Sequence, residues 1–590
     1  MKNHIPFLLL LCVTKFVFGQ VTPSVKKQND TIKTEVINVI TSYTPKVTDA
    51  FKIKSNPVIK LSDKVKKRKL NYTIISAPVA STFIPQKGTF KSFNSGDKER
   101  IYRNYIAAGF GNNTTPYIEA FLGQKVPFEN EYGLYTKYTS AKDPVKNTPL
   151  NSSFLDLSAN LFYKQETRYY DWKIGADFQH KKRNWYGIPN TINFAENVLD
   201  SINEKQHYNY IKTFGKIHFV DSNIDLAKLS ISYFNDRWNS NEIEAAFDSR
   251  FVFPFQKNDT DFNDITINFS LEYLDGQFSK SYEQATKLEH RFFTANINPK
   301  YRFNFEDFDV KLGAKIYFSA DIKHNVNQFF GYPDVEISYP VVKNYTTLYV
   351  GSGGDLHTNS YKKFTEENPF VSPTLYLTQT NEMYNFFGGL KGKLSSDISY
   401  DAHIKYKKEE DKPLFFINNS KSNGTTTEAN GTSFLGYEYG NSFNVLYDDV
   451  KTFSFFGEVE YYDNKNMTLG INASVNSYTL TQQLYAWNLP QFKSELYAKY
   501  KNNKWYAGAT IFYVGSRKDV TYTGVYPSTS SAVDLKGYLD ANLSVEYLFN
   551  NYFSVFVNAN NILDNNYQRF LNYNVQGFQI LGGLTYKFDF

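Results

Sequence analysis

The chain is poor in cysteine and in long apolar runs. Cys12 is the only cysteine among the 590 residues. If residues 1–19 are removed on export, disulfides, thiolate metal sites and a cysteine nucleophile are all excluded. No apolar stretch of about 18 residues follows them, so we expect no transmembrane helix. The formal net charge of +6 is small for this length and gives no case for nucleic-acid binding.

Catalytic and cofactor motifs are also missing. The sequence contains no HExxH, no GxSxG, no Walker loop and no dinucleotide fingerprint. Nor do its histidines form the i, i+4 pair that binds zinc on a helix. We predict no enzyme, no cofactor and no metal site; an outer-membrane hydrolase with Ser and His facing lipid is a minor alternative. The histidines expected in solvated loops or in a lumen are His180, His207, His218, His290, His324, His357 and His403.

Aromatic residues are abundant, with 47 Tyr and 52 Phe, yet the mean hydropathy is only −0.48. A membrane protein this polar on average must be a β-barrel, whose strands need apolar residues only at every second position. Amphipathic tyrosines suit the two membrane interfaces. A secreted, aromatic-rich β-sandwich or adhesin is the alternative that composition leaves open.

The C-terminus alternates strictly in polarity. Residues 578–590 read FQILGGLTYKFDF, and period-two alternation puts one set of side chains toward lipid and the other toward water. A strand that ends the chain on Phe is typical of the signal read by the bacterial barrel-insertion machinery. The residues predicted to carry this assembly signal are Gly582, Leu584, Tyr586, Phe588 and Phe590.

The N-terminus predicts export. Residues 1–19 have a basic start at Lys2, an apolar run and small or short residues before Gln20, which indicates a signal peptide cleaved between Gly19 and Gln20. Residues 20–100 lack periodicity and form a predicted periplasmic or lumenal segment. This segment contains a basic run that is a candidate contact for a periplasmic partner, although such clusters are usually only solvated. The run consists of Lys64, Lys66, Lys67, Arg68 and Lys69.

From residue 101 to residue 590 the alternation recurs in segments of about ten residues, the length that a tilted strand needs to cross the hydrocarbon. We predict an all-β fold: a large antiparallel transmembrane barrel of about 22 strands, with 18 or 20 as alternatives because Pro340 weakens the pair at 334–352. Tight turns at 395–397, 463–466, 502–503 and 550–551 are expected on the periplasmic side. The long polar stretches near 408–449, 517–536 and 563–577 are predicted outward loops.

The C-terminal region resembles the TonB-dependent receptor family. An Asn-rich segment with Asn561, Leu563, Asp564 and a following Tyr567 precedes the last loop, and a Gly-rich strand closes the barrel. The resemblance implies an outer-membrane receptor that moves a solute. Family members fold a plug of roughly 130 to 150 residues inside the barrel, whereas only some 80 residues precede the first predicted strand. The chain thus resembles a plugless or plug-reduced relative.

The predicted function is receptor or transport activity for a solute across the outer membrane of a diderm bacterium, by binding and gating. The expected partners are outer-membrane lipid, the barrel-assembly machinery and a periplasmic energy-coupling or scaffold protein. The solute is not predicted. A non-transporting structural or assembly subunit of an envelope complex is the alternative. The polar loop from Asn418 to Thr427 is a candidate external ligand contact, although unliganded polar loops are more common.

Overall fold

The computed structural model describes residues 102–126, 129–258, 261–423, 434–463 and 466–589. Nearly all of this part of the chain is antiparallel β-sheet. The barrel closes because the first strand pairs with the last, with Asn104 opposite Phe588 and Gly111 opposite Leu581. None of the helices in the described ranges is long or apolar enough to cross a membrane.

The described elements are, in chain order, β1 (Asn104–Gly111), β2 (Thr115–Val126), β3 (Asn130–Ala141), β4 (Phe154–Glu166), β5 (Tyr170–Asn184), α1 (Glu196–Ser201), β6 (Lys205–Phe219), β7 (Ile224–Asp236), β8 (Asn241–Asn258), β9 (Asp261–Phe278), β10 (Leu288–Phe305), β11 (Phe308–Asp321), β12 (Val326–Pro333), β13 (Val335–Val342), β14 (Thr346–Thr358), α2 (Tyr361–Glu367), β15 (Gln379–Lys393), β16 (Ile398–Ile417), β17 (Phe443–Asp463), β18 (Met467–Leu480), β19 (Phe492–Lys501), β20 (Trp505–Val514), β21 (Arg517–Tyr522), β22 (Ser530–Leu535), β23 (Tyr538–Leu548), β24 (Phe553–Asn560), β25 (Gln568–Phe570), β26 (Tyr573–Asn574) and β27 (Gln579–Phe588).

The barrel has 22 strand positions, as predicted. β12 and β13 both pair with β11 and are separated only by Asp334, so they occupy one position. The strand predicted at 334–342 therefore begins at Val326. β21 with β22 and β25 with β26 form two small hairpins outside the barrel sheet.

The two ends of the barrel differ. At one end, which carries both ends of the sheet, consecutive strands are joined by two to four residues. We call it the turn end. At the opposite end, the loop end, connections reach 20 residues or more at 185–204, 359–378, 418–442 and 515–537. The predicted tight turns all lie at the turn end. The loop predicted near 408–449 was drawn too long, because β16 runs to Ile417 and β17 starts at Phe443. The loop predicted at 517–536 lies within the connection 515–537 and contains the hairpin of β21 and β22.

The outer surface of the barrel is apolar. Residues at every second position, such as Ile471, Leu543 and Leu584, point outward and are 41–61% exposed. Aromatic rings collect near the turn end, where Trp505 lies 4.6 Å from Tyr547 between ring centroids. An apolar band with aromatic rings at its edge is the surface of a bilayer-spanning barrel.

The inner surface is polar and densely paired. Arg302 donates two hydrogen bonds to Asp309, at 2.9 and 2.7 Å. Lys315 and Tyr317 both donate to Asp355, at 2.7 and 2.6 Å. Polar and apolar faces thus alternate along each strand, as period two requires.

A lipid-facing charge provides a test of this orientation. Ile471, which is 53% exposed, points outward from the middle of the membrane-crossing part of β18. We expect Ile471→Arg to lower the free energy of unfolding by about 2–4 kcal/mol, because a charge at the midplane must leave water. Denaturant unfolding in lipid vesicles measures this free energy of unfolding.

Asn472→Arg is the matched control. Asn472 points into the lumen between Glu458 and Glu495 of the neighbouring strands, so the same charge should be tolerated there. Equal losses in the two variants would contradict the assigned faces.

Candidate functional site

Most of the described residues in the long connections at the loop end fold over the mouth of the barrel instead of extending into solvent. Five connections meet there in one hydrophobic core, at 142–153, 185–204, 359–378, 418–442 and 561–578. We call this assembly the cap. Its buried core residues are Val145, Leu150, Tyr186, Ile188, Ile202, Tyr208, Phe234, Leu274, Phe278, Phe292, Tyr361, Phe364, Val371, Leu375, Leu377, Phe415, Ile417, Tyr439, Phe443, Val445, Phe570 and Tyr573.

On several strands the inward-facing residues change from polar to apolar where the strand reaches this core. Along β7 the inward positions are Lys228, Ser230 and Ser232 before they become apolar at Phe234. β9 follows the same course and ends on buried Leu274 and Phe278. The barrel interior is therefore polar at membrane depth and apolar at the loop end, where the connections pack against it.

Tyr573 joins four of the connections. Its ring stacks on Phe370 with centroids 3.5 Å apart and meets Tyr186 edge-on at 4.9 Å. Its hydroxyl donates to the carbonyl of Asn441. A side chain on Gly187 would overlap the Tyr573 ring, because an added Cβ would lie 2.7 Å from a ring carbon. Glycine is thus required for this close approach.

A second aromatic cluster lies on the same cap. The rings of Trp185 and Trp238 are parallel at 6.4 Å, and Tyr437 meets both edge-on at 5.6 and 5.3 Å. Buried Glu438 accepts hydrogen bonds from the ammonium groups of Lys280 and Lys421 at 2.5 and 2.7 Å. Burial alone would raise the pKa of Glu438, but these bonds outweigh it and hold the pKa below its usual range.

Helix α2 is anchored inside the mouth by a buried carboxylate. Glu242 accepts the backbone N–H groups of Tyr361 and Lys362, at 2.7 and 3.0 Å, so a negative charge meets the first turn. His290 contacts the same carboxylate at 3.0 Å. The expectation that His290 is solvated is therefore wrong: it is 4% exposed, because it belongs to the anchor of the helix.

A cavity of about 230 Å³ lies between α2 and the inner faces of β5, β6 and β7. Lys181 pairs with Tyr208, and Gln179 pairs with Tyr210, so the cavity lies three to five residues below the end of β5 at Asn184. At about 3.3 Å per residue this is roughly 10–17 Å along the strand, and less along the barrel axis because the strands are tilted. The lining residues are Gln179, Lys181, Arg183, Tyr208, Tyr210, Phe234, Lys362, Thr365, Glu366, Pro369 and Arg569.

The structure covers only some of the predicted site residues. Gly582, Leu584, Tyr586 and Phe588 lie in β27, where Leu584 and Tyr586 are 61% and 42% exposed on the outer face. Their role as an assembly signal stays a prediction. The remaining predicted positions lie outside the described residues, namely Gly19, Gln20, Lys64, Lys66, Lys67, Arg68, Lys69 and Phe590.

The polar loop expected to meet an external ligand is part of the cap. Asn418, Asn419 and Ser420 are at most 6% exposed. Asn418 donates 2.8 Å to the hydroxyl of Ser442, and Asn419 donates 3.0 Å to that of Ser528. These buried side chains bond within the protein and are not available to a ligand outside, whereas the predicted loop residues 424–427 lie outside the described residues.

The cap was not predicted from the sequence. Its signal was the aromatic content of the connections, with Trp185 and Tyr186 in one and Phe570 and Tyr573 in the stretch predicted as a polar loop. Loops exposed to water do not need such rings. Across the described ranges, no group of three or more His, Cys, Asp and Glu side chains is arranged to hold a metal ion.

Comparison with solved structures shows which known proteins share this fold. Residues making up 82% of the chain superpose on the pyoverdine outer-membrane receptor FpvA of Pseudomonas aeruginosa PAO1, with a TM-score of 0.61, 12% identity and 78% of that chain covered. The ferric-catecholate import receptor Fiu of E. coli K12 gives a TM-score of 0.58 at 9% identity, with 82% of this chain and 81% of that one covered.

The siderophore receptor PirA of Acinetobacter baumannii gives a TM-score of 0.59 at 12% identity, with 82% of this chain and 80% of that one covered. These proteins are TonB-dependent receptors. The chain has the TonB-dependent receptor fold. No protein-family model and no curated protein matches the sequence. The likeness confirms the predicted barrel class.

The β21–β22 hairpin, whose Tyr522 packs against the cap core, contains a group that should make the stability of the hairpin depend on pH. Asp519, in the β21–β22 hairpin, is fully buried, and burial raises its pKa to about 7. One carboxyl oxygen accepts from the N–H of Val520 at 2.8 Å, and the other has no hydrogen-bond partner. The folded hairpin therefore retains a proton that the open hairpin releases near pH 4. The added stability is complete below that pH and is lost as the pH rises through about 7.

We expect the free energy of opening of the hairpin to fall by about 2 kcal/mol between pH 5 and pH 8. Hydrogen exchange of the backbone amides of Arg517–Tyr522, corrected for intrinsic exchange rates, measures this free energy of opening. Asp519→Asn should abolish the difference, whereas Asp534→Asn, at a 65% exposed side chain on the same hairpin, should preserve it. An unchanged pH difference in Asp519→Asn would exclude this carboxyl as the cause.

Proposed function

We propose that the protein is an outer-membrane receptor and transporter that takes up a solute through the barrel lumen, with the cap as its outer gate. The turn end then faces the periplasm. The single observation that supports this most directly is the convergence of distant loops on Tyr573, because this packing covers the mouth of a barrel with the receptor fold. A solute can enter only if the cap opens.

The cap is suited to gating because its core is built from separate connections. Tyr186, Phe370, Asn441 and Tyr573 come from four different loops. Loops are the least stable part of such a structure and are the usual location of binding and gating motions. The polar lumen beneath the cap offers a path for a hydrophilic solute.

The role is transport and not catalysis. Solved proteins of this fold include receptors for pyoverdine and for ferric catecholates, so a solute captured outside the cell is the class we favour. Residues 20–100, which precede the barrel, are proposed to occlude the lumen from the periplasmic side. We further propose that they contact a periplasmic partner through the basic run from Lys64 to Lys69, and that the last strand directs assembly.

Single-channel conductance in a planar bilayer tests gating. Four chains are compared: the mature protein, a deletion of residues 20–99, the pair Phe370→Ala with Tyr573→Ala, and the deletion combined with that pair. We expect only the combined chain to form a large, stable pore, because cap and N-terminal segment each close one side. Removing a buried aromatic ring costs about 3–5 kcal/mol, enough to open local packing.

Tyr376→Ala is the matched control, since this tyrosine lies in the same loop as Phe370 but is 54% exposed. Combined with the deletion, it should leave the barrel closed. Heat-modifiable mobility on gels verifies that each barrel is folded. A combined chain that is folded but does not conduct would refute transport and favour the structural or assembly role.

A further inference from the structure

The cavity beneath the cap has an unusual charge balance. Four cationic side chains line it, from Lys181, Arg183, Lys362 and Arg569, against the single lining carboxylate of Glu366. Glu366 lies 3.0 Å from the ammonium of Lys362 and 4.0 Å from that of Lys181. One carboxylate is thus shared by two lysines.

A carboxylate outside the lining neutralises one more cation. Asp156 accepts two hydrogen bonds from the guanidinium of Arg183, at 2.7 and 2.8 Å. With Asp156 and Glu366 counted, four positive charges face two negative ones. Among the lining side chains and their direct ion-pair partners, positive groups therefore outnumber negative ones.

Arg569 is the cation without a partner at this site. Within the described ranges its guanidinium makes no ion pair within 4 Å, although the charge of Glu367 acts on it from farther away. The nearest aromatic contact is to the ring of Phe570, 5.9 Å from the guanidinium carbon. An unpaired guanidinium offers donors in a planar fork that matches carboxylate and phosphate oxygens.

The backbone of Arg569 is fixed in place. The guanidinium of Arg517 donates to the carbonyls of Arg569 and Gln568, at 2.6 and 2.7 Å. Phe570 and Tyr573, which follow in the same hairpin, are buried in the cap core. The backbone of Arg569 is therefore held on both sides, whereas its side chain is exposed, so binding has to order only that side chain.

We propose that this cavity binds a small multivalent oxyanion, a solute bearing carboxylate or phosphate groups, with Arg569 as its principal ligand and Lys362 and Lys181 as further contacts. A neutral solute would leave the excess charge uncompensated, and a cation would be repelled. The volume is below the roughly 300–1,000 Å³ of sites for drug-sized ligands, so the occupant is small. The inference deepens the proposed function by giving the solute a chemical class.

Isothermal titration of the full chain, purified in detergent, tests the site directly. Citrate and inorganic pyrophosphate are the two oxyanion probes, and they separate carboxylate from phosphate preference. Chloride and spermidine serve as the monovalent and cationic comparisons. We expect at least one oxyanion to bind, with an affinity that falls with salt because the contacts are ionic.

Arg569→Gln should weaken that binding by about tenfold or more, since it removes a charged hydrogen-bonding group. Lys518→Gln removes one positive charge from an exposed ion pair with Asp534 in a neighbouring hairpin and should change the affinity by less than about twofold. Arg569→Lys, which keeps the charge but not the fork, should fall between them. Both gel mobility and tryptophan fluorescence verify folding.

The proposal is overturned if neither oxyanion binds, if spermidine binds as well as they do, or if Arg569→Gln and Lys518→Gln bind equally. The proposed binding site and the proposed transport can be refuted independently of each other. An anion that binds to a barrel whose combined variant never conducts would leave the site intact and refute transport. A conducting variant of a chain that binds no oxyanion would leave transport intact and refute the site.

Discussion

The structure depends on closure of the backbone hydrogen-bond ladder. In hydrocarbon no water can satisfy a free N–H or C=O, so an open sheet edge is untenable and the first and last strands must pair. The pairing of β1 with β27 meets that need along eight residues of β1. Once it is made, every strand has two neighbours, and side chains are free to differ between the outer and inner faces.

Closure also fixes what can happen at each end. The turn end has only short connections, whereas the long connections are brought together at the opposite rim. There the inward positions change from Ser232 to Phe234 on β7 and from Glu272 to Leu274 on β9. The apolar core thus lies where loops can cover it, and the charged cavity with Arg569 lies immediately beneath, between a dry layer and a wet lumen.

Period-two alternation was enough to predict 22 strand positions and the tight turns, because both are local properties of the sequence. Strand ends at the loop end were predicted poorly. β16 and β17, of 20 and 21 residues, run far past the length needed to cross a membrane, and their extensions are no longer constrained by lipid. The meeting of Tyr186 with Tyr573 was beyond sequence reasoning, because it depends on which loops the closed barrel brings together.

The hydrogen bond from Tyr186 to the carbonyl of Asn574 joins residues 388 positions apart. Such a contact has no counterpart in a nascent chain, and its entropic cost is met only after the ends of the sheet have been joined. We therefore expect the strands to pair first, the seam to close next and the cap to pack last. A barrel halted before the seam forms would expose Tyr186, Phe370 and Tyr573 together, and such a surface is a natural target for envelope chaperones and proteases.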